Sequence, residues 1–295
     1  MIKHIYSILL IVLATQVGAQ DQMLATGVIH VTKDQGASWR QADAGLPADT
    51  RVNAFVETDG FIFAGTDNYG IYVTKANAIQ WTPVNKGLPL NLGISSMIVF
   101  NHTLLAGSYK GGVYVSTDNG GHWQQSNTGL NEFSVRSLYV LNFVIYAGTN
   151  DGIYSSMDGG KKWVLEKRGA QVNAFTSVGS RLIAATNHGV ILAQDNESDW
   201  TSVSVENGIR DLASDGNTLY ALAYRQTLYK STDGGMTWKP YTPPLAHTLS
   251  VQVIRLGNKF FAVRLHELLP LKMDATYTEL FNSSVGLIKA PEDNC

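Results

Sequence analysis

Apolar residues in this chain come in short runs separated by Gly, Asn, Asp and Pro, and no stretch sustains a helical period. Three kinds of run recur. One opens each unit: VNAFV at 52–56, SMIVF at 96–100, SLYVL at 137–141 and VNAFT at 172–176. A second follows it: FIFAGT at 61–66, LLAGS at 104–108, IYAGT at 145–149, LIAAT at 182–186 and LYALA at 219–223. A third lies past a Gly-containing turn, as in GIYV at 70–73 and GVYV at 112–115. An octapeptide ending in Trp closes the unit. Runs of this length between turn residues predict β-strands, four to a unit.

The tryptophans set the period. Trp39, Trp81, Trp123, Trp163, Trp200 and Trp238 are 42, 42, 40, 37 and 38 residues apart. Four short strands repeated about every 40 residues are the signature of propeller blades. The spacing predicts an all-β chain, a seven-bladed β-propeller of four-stranded blades. A degenerate seventh unit is visible in KFFAV at 259–263 and in Tyr277, 39 residues after Trp238. Seven units need about 280 residues, and the chain from Gln20 has 276. A six-bladed ring would leave a stretch of about 40 residues without a place. The chain enters at a second run, MLATG at 23–27, and ends with an extra first-run-like piece, SSVGLIKA at 283–290. Pairing of 283–290 with 23–33 is therefore expected to close the ring and hide two sheet edges.

The octapeptides read TKDQGASW (32–39), TKANAIQW (74–81), STDNGGHW (116–123), SMDGGKKW (156–163), AQDNESDW (193–200) and STDGGMTW (231–238). The pattern S/T-x-D-x-G-x-x-W resembles the Asp-box, or bacterial neuraminidase repeat. It recurs in sialidases, sortilin-type receptors, xyloglucan-cleaving glycosidases and a photosystem assembly factor. Four copies fit well. Ala76 and Ala78 replace the Asp and Gly of the second, and Ala193 and Glu197 depart from the fifth. The chemistry of such a box is structural: Asp bonds backbone N–H groups, Gly permits positive φ, and Trp packs between blades. Structural roles are thus expected for Asp34, Trp39, Asp118, Trp123, Asp158, Trp163, Asp233 and Trp238. The resemblance implies that the boxes lie between third and fourth strands, away from the ligand face.

The N-terminus reads as an address. Residues 1–19, MIKHIYSILLIVLATQVGA, combine Lys3, a short apolar run and small residues before Gln20. That is the form of a cleaved signal peptide, and the run falls short of the roughly 20 residues of a membrane span. The expected mature chain is one propeller domain, 20–295, secreted or periplasmic, with no stable membrane insertion once the leader is removed. A net charge of −2 offers no basic excess for nucleic acid. One cysteine, Cys295, excludes an intrachain disulfide framework.

Propellers meet ligands through the second-to-third strand turns and the blade-to-blade connections. Here those turns carry Asp67, Tyr69, Tyr109, Lys110, Asn150, Asp151, Asn187, His188, Tyr224, Arg225, His266 and Glu267. A ring of such groups around a funnel is a candidate polar site, although Asn-Asp-Gly sequences also recur simply because they turn well. No catalytic residue, cofactor or metal is assigned. The histidines show no ligand spacing, no G-x-S-x-G elbow occurs, and the R-I-P tripeptide of the resembling sialidases is absent. The expectation is a monomeric, non-catalytic propeller that binds a protein or a glycan. The alternative is a glycoside hydrolase, for which Asp67, Asp151 and Glu267 are the carboxylates on candidate turns.

Overall fold

The computed structural model describes residues 29–32, 40–75, 80–193, 200–205, 208–215, 217–224, 227–241, 251–256 and 259–264. Two strands come first, β1 (Ile29–Thr32) and β2 (Arg40–Gln41). Five antiparallel four-stranded meanders follow. Sheet 1 holds β3 (Val52–Thr58), β4 (Phe61–Thr66), β5 (Ile71–Lys75) and β6 (Thr82–Pro83). Sheet 2 holds β7 (Ile94–Phe100), β8 (Thr103–Ser108), β9 (Gly112–Ser116) and β10 (Gln124–Gln125). Sheet 3 holds β11 (Val135–Leu141), β12 (Val144–Thr149), β13 (Gly152–Ser156) and β14 (Val164–Arg168). Sheet 4 holds β15 (Val172–Val178), β16 (Arg181–Thr186), β17 (Gly189–Ala193) and β18 (Trp200–Val203). Sheet 5 holds β19 (Ile209–Asp215), β20 (Thr218–Ala223), β21 (Leu228–Ser231) and β22 (Lys239–Pro240). The last two strands, β23 (Val251–Leu256) and β24 (Lys259–Arg264), join the first two in a sheet ordered β2-β1-β24-β23.

The described residues thus hold six four-stranded sheets, an arrangement consistent with a propeller, against the seven that the repeat spacing predicts. The two ends of the chain do meet in one sheet, but through other partners than expected. Ile29 stands opposite Val263 and Thr32 opposite Phe260. KFFAVR has the continuous apolar run of a second strand, and it stands beside β1 in the place expected for MLATG. Residues 23–27 and 283–290 lie outside the described residues.

Within the meanders, the second and third strands are the most buried and the fourth the least. Second strands such as β4 and β8 are buried along nearly their whole length, whereas β6, β10 and β22 are exposed. The reason is position: a second strand has a neighbouring sheet on both faces, and a fourth strand lies at the rim. First strands of successive sheets lie side by side, β23 against β3, then β7, β11, β15 and β19. In the second strands, Gly65, Gly107 and Gly148 allow the next sheet's first residue, Ile94, Val135 or Val172, to press onto the backbone.

Candidate functional site

In four of the five meanders the second-to-third strand turn is built on the hydroxyl that ends the second strand. Thr66 Oγ1 donates to the Gly70 carbonyl at 2.8 Å and accepts from Tyr69 N at 2.9 Å. Ser108 does the same with Gly112 and Gly111. Thr149 and Thr186 hold Gly152 and Gly189. Two turns are also clamped from the unit's end. Asn85 Oδ1 accepts from Ile71 N at 2.7 Å while its Nδ2 donates to the Tyr69 carbonyl at 2.9 Å. Asn127 repeats this with Val113 and Gly111. Buried hydroxyls and half-buried amides therefore satisfy the turn from beneath.

The residue after the second strand occupies one equivalent position in all five meanders: Asp67, Tyr109, Asn150, Asn187 and Tyr224. Each donates its N–H to the residue just before its own sheet's first strand, respectively Arg51, Gly93, Ser134, Gln171 and Gly208. Tyr109 and Tyr224 are 40% and 48% exposed, and their rings lie beside the backbones of Gly93 and Gly208.

An inner ring accompanies this outer one. In all five meanders the register shifts at the second residue of the first strand. The residues spanned by these bulges are Asn53, Ser95, Arg136, Asn173 and Arg210. A bulge re-aims a side chain locally. Asn53 donates to the Ile94 carbonyl at 3.0 Å, Ser95 to the Val135 carbonyl and Asn173 to the Ile209 carbonyl at 2.7 Å, so each ties its sheet to the next. Arg136 Nε donates to Asn173 Oδ1 at 3.1 Å and its Nη1 to Asn150 Oδ1 at 3.2 Å, linking the two rings. Arg210 Nε is buried without a hydrogen-bond partner.

The electrostatics bring these groups together. Burial pushes the Tyr109 phenol up; Arg136 opposes the shift, and Asp67 and Tyr224 add to it. Tyr109 thus lies within electrostatic range of Arg136, Asp67 and Tyr224. Burial lowers the Arg210 guanidinium from its ordinary value, with Asp211 and Tyr224 acting the other way. Tyr69 stands apart: its hydroxyl donates to Asp49 Oδ1 at 2.6 Å, and that bond raises its pKa first. Asp151 pairs with Arg168 at 3.6 Å, away from the ring. Lys110 and His188 lie on the same turns, His188 giving its N–H to Thr186 Oγ1. Arg225, His266 and Glu267 lie outside the described residues.

The opposite end of the sheets carries the boxes. Asp118 Oδ1 accepts from Ser116 Oγ at 2.8 Å and from His122 N at 2.9 Å. Asp158 Oδ1 accepts from Ser156 Oγ and from Lys161 N and Lys162 N. Asp233 accepts from Ser231 Oγ, Thr237 N and Thr237 Oγ1. These bonds favour the carboxylate and depress all three pKa values; Asp233, bonded first by the Thr237 hydroxyl, falls to about 2. Asp34 and Trp39 lie outside the described residues.

The tryptophans divide into two groups. Trp81, Trp123 and Trp163 are buried, and each indole Nε1 donates to the preceding unit: to Ala42, Val84 and Ser126 carbonyls at 2.6, 2.8 and 2.9 Å. Each backbone N–H does likewise, to Ala44, Lys86 and Thr128. A Gly-Leu pair follows each of these segments: Gly45-Leu46, Gly87-Leu88 and Gly129-Leu130. All three glycines have φ near +90°, and a Cβ on any of them would overlap the next tryptophan's carbonyl oxygen. No Gly-Leu pair stands between Trp163 and Trp200, or between Trp200 and Trp238. Trp200 Nε1 is unpartnered, and Trp238 Nε1 turns to its own Gly235 carbonyl at 2.9 Å. Trp123 and Trp163 are buried, while Trp238 is half-buried, packs against the core shared by sheets 4 and 5, and bonds its indole locally. Its box is intact, and the unit before it has no Gly-Leu pair.

Arg136, Arg210, the strand-ending hydroxyls and the Gly-Leu latch are not among the residues that the sequence singles out. Each nevertheless has a signal there. The arginines are polar residues second in an apolar first run, and a Thr or Ser closes four of the second runs. The Gly-Leu pairs begin six residues past Trp39, Trp81 and Trp123.

Residues 229–240 match the family model described as BNR/Asp-box repeat. That match covers the box ending at Trp238, and the described sheets are consistent with a propeller fold. The chain is similar to the extracellular domain of the one-component system protein BT4673 from B. thetaiotaomicron, with TM-score 0.62, 18% identity, and coverage of 79% of this chain and 34% of that one. It is also similar to YCF48, solved bound to D1 peptide, with TM-score 0.58 and 16% identity over 78% of this chain and 84% of that one. A third likeness is to the GH74 xyloglucanase from Xanthomonas campestris, with TM-score 0.56 and 17% identity over 74% and 42%. The chain spans about a third of the BT4673 domain's length. No curated protein matches the sequence.

Proposed function

We propose that this chain is an exported, non-catalytic propeller that captures a protein or glycan on the face made by its second-to-third strand turns. The carrying observation is the ring of Asp67, Tyr109, Asn150, Asn187 and Tyr224. It holds one structural position but varies in chemistry, over turns already satisfied from below. Half-exposed tyrosines with amide neighbours suit recognition, because one rigid side chain offers both apolar area and a polar tip. YCF48 is a neighbour solved with a peptide, which agrees with this reading. Paired glycan and peptide arrays test it. Retention by the wild-type protein, lost in Tyr109→Ala/Tyr224→Ala, supports the proposal. Release of reducing ends from xyloglucan would replace it with the hydrolase reading.

Export through a signal peptide at 1–19 is part of the proposal, and N-terminal sequencing of the secreted protein should begin at Gln20. The number of units is tested separately. Tryptophan spacing supports seven, with MLATG beside β1 and 283–290 closing the ring. The β1–β24 register supports six. Deleting residues 283–295 lowers the melting midpoint by many degrees on the seven-unit count and leaves it unchanged on the six-unit count.

A further inference from the structure

The mouth near Asp67, Tyr109 and Tyr224 contains two guanidinium groups: Arg136 spends one N–H on the turn residue Asn150, and Arg210 has no bond to the turns among the described residues. Arg136 and Arg210 hold the same bulged position in sheets 3 and 5. Asn173, in the equivalent place of sheet 4, stands between them. It accepts from Arg136 Nε and donates to the carbonyl of Ile209, the residue before Arg210. The partners of Arg136 are neutral amides, so its charge is oriented but not neutralised. Arg210 has a buried Nε with no acceptor, although such a donor costs free energy when left unmade. Neither forms an ion pair among the described residues. Arg136, held by neutral amides, and Arg210, with its Nε bond unmade, leave N–H directions that suit an anion.

Three exposed apolar side chains stand nearby. Tyr109 packs against Gly93. Leu90, 94% exposed, lies in the connection that ends at Gly93. Phe133, 46% exposed, comes three residues before Arg136, and its carbonyl accepts from Gly112 N at 2.8 Å. Asp67 and Asp211 offset part of the positive charge, so a monoanion fits better than a doubly charged phosphate. Exposed aliphatic and aromatic side chains beside an arginine pair match a polypeptide better than a sugar acid, whose hydroxyls would meet Leu90 and Phe133 unpaired.

We propose that this mouth docks a segment of a partner protein that carries a carboxylate among apolar residues, the carboxylate held by Arg136 and Arg210 and the apolar residues seated on Tyr109, Phe133 and Leu90. The inference rests on the binding-face reading above and narrows its partner. The test uses an array of twelve-residue peptides, each with a central Asp or Glu flanked by Leu, Phe and Tyr. The same peptides with Asn or Gln, the same with phosphoserine, and a set of polyuronate oligosaccharides complete the array. The wild-type protein should retain the acid peptides over their amides. Fluorescence anisotropy on the best acid–amide pair then compares variants. Arg210→Gln breaks no described hydrogen bond, so its melting midpoint should hold. It should weaken the acid peptide about tenfold, the worth of a charge-assisted bond, and leave the amide peptide unaffected. Arg136→Gln should show the same selectivity. Equal weakening of acid and amide peptides would overturn the proposal, as would preference for phosphopeptides or polyuronates. If neutral peptides or glycans bind, and Tyr109→Ala alone removes them, the binding face stands and the carboxylate partner falls.

Discussion

The two ends of the sheets are made from the same kind of turn and use it in opposite ways. At the box end, the polar side chains bond back into their own turn. Asp118, Asp158 and Asp233 each collect donors from a neighbouring Ser and from backbone N–H groups a few residues on. At the other end the turn is held from below by Thr66, Ser108, Thr149 and Thr186, and the residue above varies in use: Asp67 and Asn187 accept from Arg51 N and Gln171 N, Asn150 accepts from Arg136, and the Tyr109 and Tyr224 rings are half-exposed. Accordingly the box end repeats its chemistry in the three described well-formed boxes, at Asp118, Asp158 and Asp233, while the other end runs through Asp, Tyr, Asn, Asn and Tyr at one geometric position. Where a repeat protein keeps a residue in every copy, that residue builds the copy. Where it keeps the position and changes the residue, the position is free for recognition.

The comparison can be broken first at the boxes. Trp123 is buried between sheets 1 and 2 and latched to Val84 and Lys86. Trp123→Ala should cost about 3–5 kcal/mol, as large aromatic truncations in cores do. Trp238→Ala, half-buried and bonded only to Gly235, should cost about 2 kcal/mol. Urea denaturation measures both. An equal cost would mean that the latch contributes nothing.

The latch itself is sharpened by two glycines. Gly129 and Gly169 share a φ near +90°, but a Cβ on Gly129 overlaps the Trp163 carbonyl, while Gly169 has open space. Gly129→Ala should cost about 3 kcal/mol, from backbone strain together with a lost Trp163–Thr128 bond. Gly169→Ala should cost about 1 kcal/mol from strain alone. Indole proton exchange gives a second readout: Gly129→Ala exposes Trp163 and leaves Trp81 protected.

A smaller effect is expected in acid. Asp233 falls from its ordinary 3.8 to about 2 in the folded chain, because its donors prefer the carboxylate. A depressed folded pKa adds stability above the unfolded value, and that contribution disappears as pH drops through the window between the two. Wild-type stability should therefore fall between about pH 4 and pH 2. Asp233→Asn should be less stable at neutral pH and lose less across that window. A titration in which both proteins decline in parallel would remove Asp233 from the acid response.

Much of this fold is legible in the sequence. The strand pattern, the four-stranded unit and the turn position of the boxes follow from period and turn chemistry, which are local. The polar ring is legible as a set of turns, since Asp67, Tyr109, Asn150, Asn187 and Tyr224 each follow a second run. Its inner half is not, because a bulge is a property of pairing between strands. Arg136 and Arg210 read as scattered arginines until their shared register brings them to one mouth. The tryptophans mislead for a related reason. All six end an octapeptide, but among the described ones Trp81, Trp123 and Trp163, each preceded by a Gly-Leu pair, are buried, whereas Trp200 and Trp238 are half-buried. The count of sheets is hardest of all, because MLATG and KFFAV carry the same pattern and either can lie beside β1.

The central claim is the division of labour between the two ends, and one paired measurement meets it directly. The best ligand from the glycan and peptide arrays is titrated by anisotropy into wild-type protein, Tyr109→Ala/Tyr224→Ala and Asp158→Ala, with melting midpoints recorded for each. The account predicts that the tyrosine variant loses at least about tenfold in affinity, as anchors of an interface do, with its midpoint little changed. Asp158→Ala should melt earlier and bind as the wild type does. A folded Asp158→Ala protein that fails to bind, beside a tyrosine variant that binds normally, would contradict the assignment of both ends.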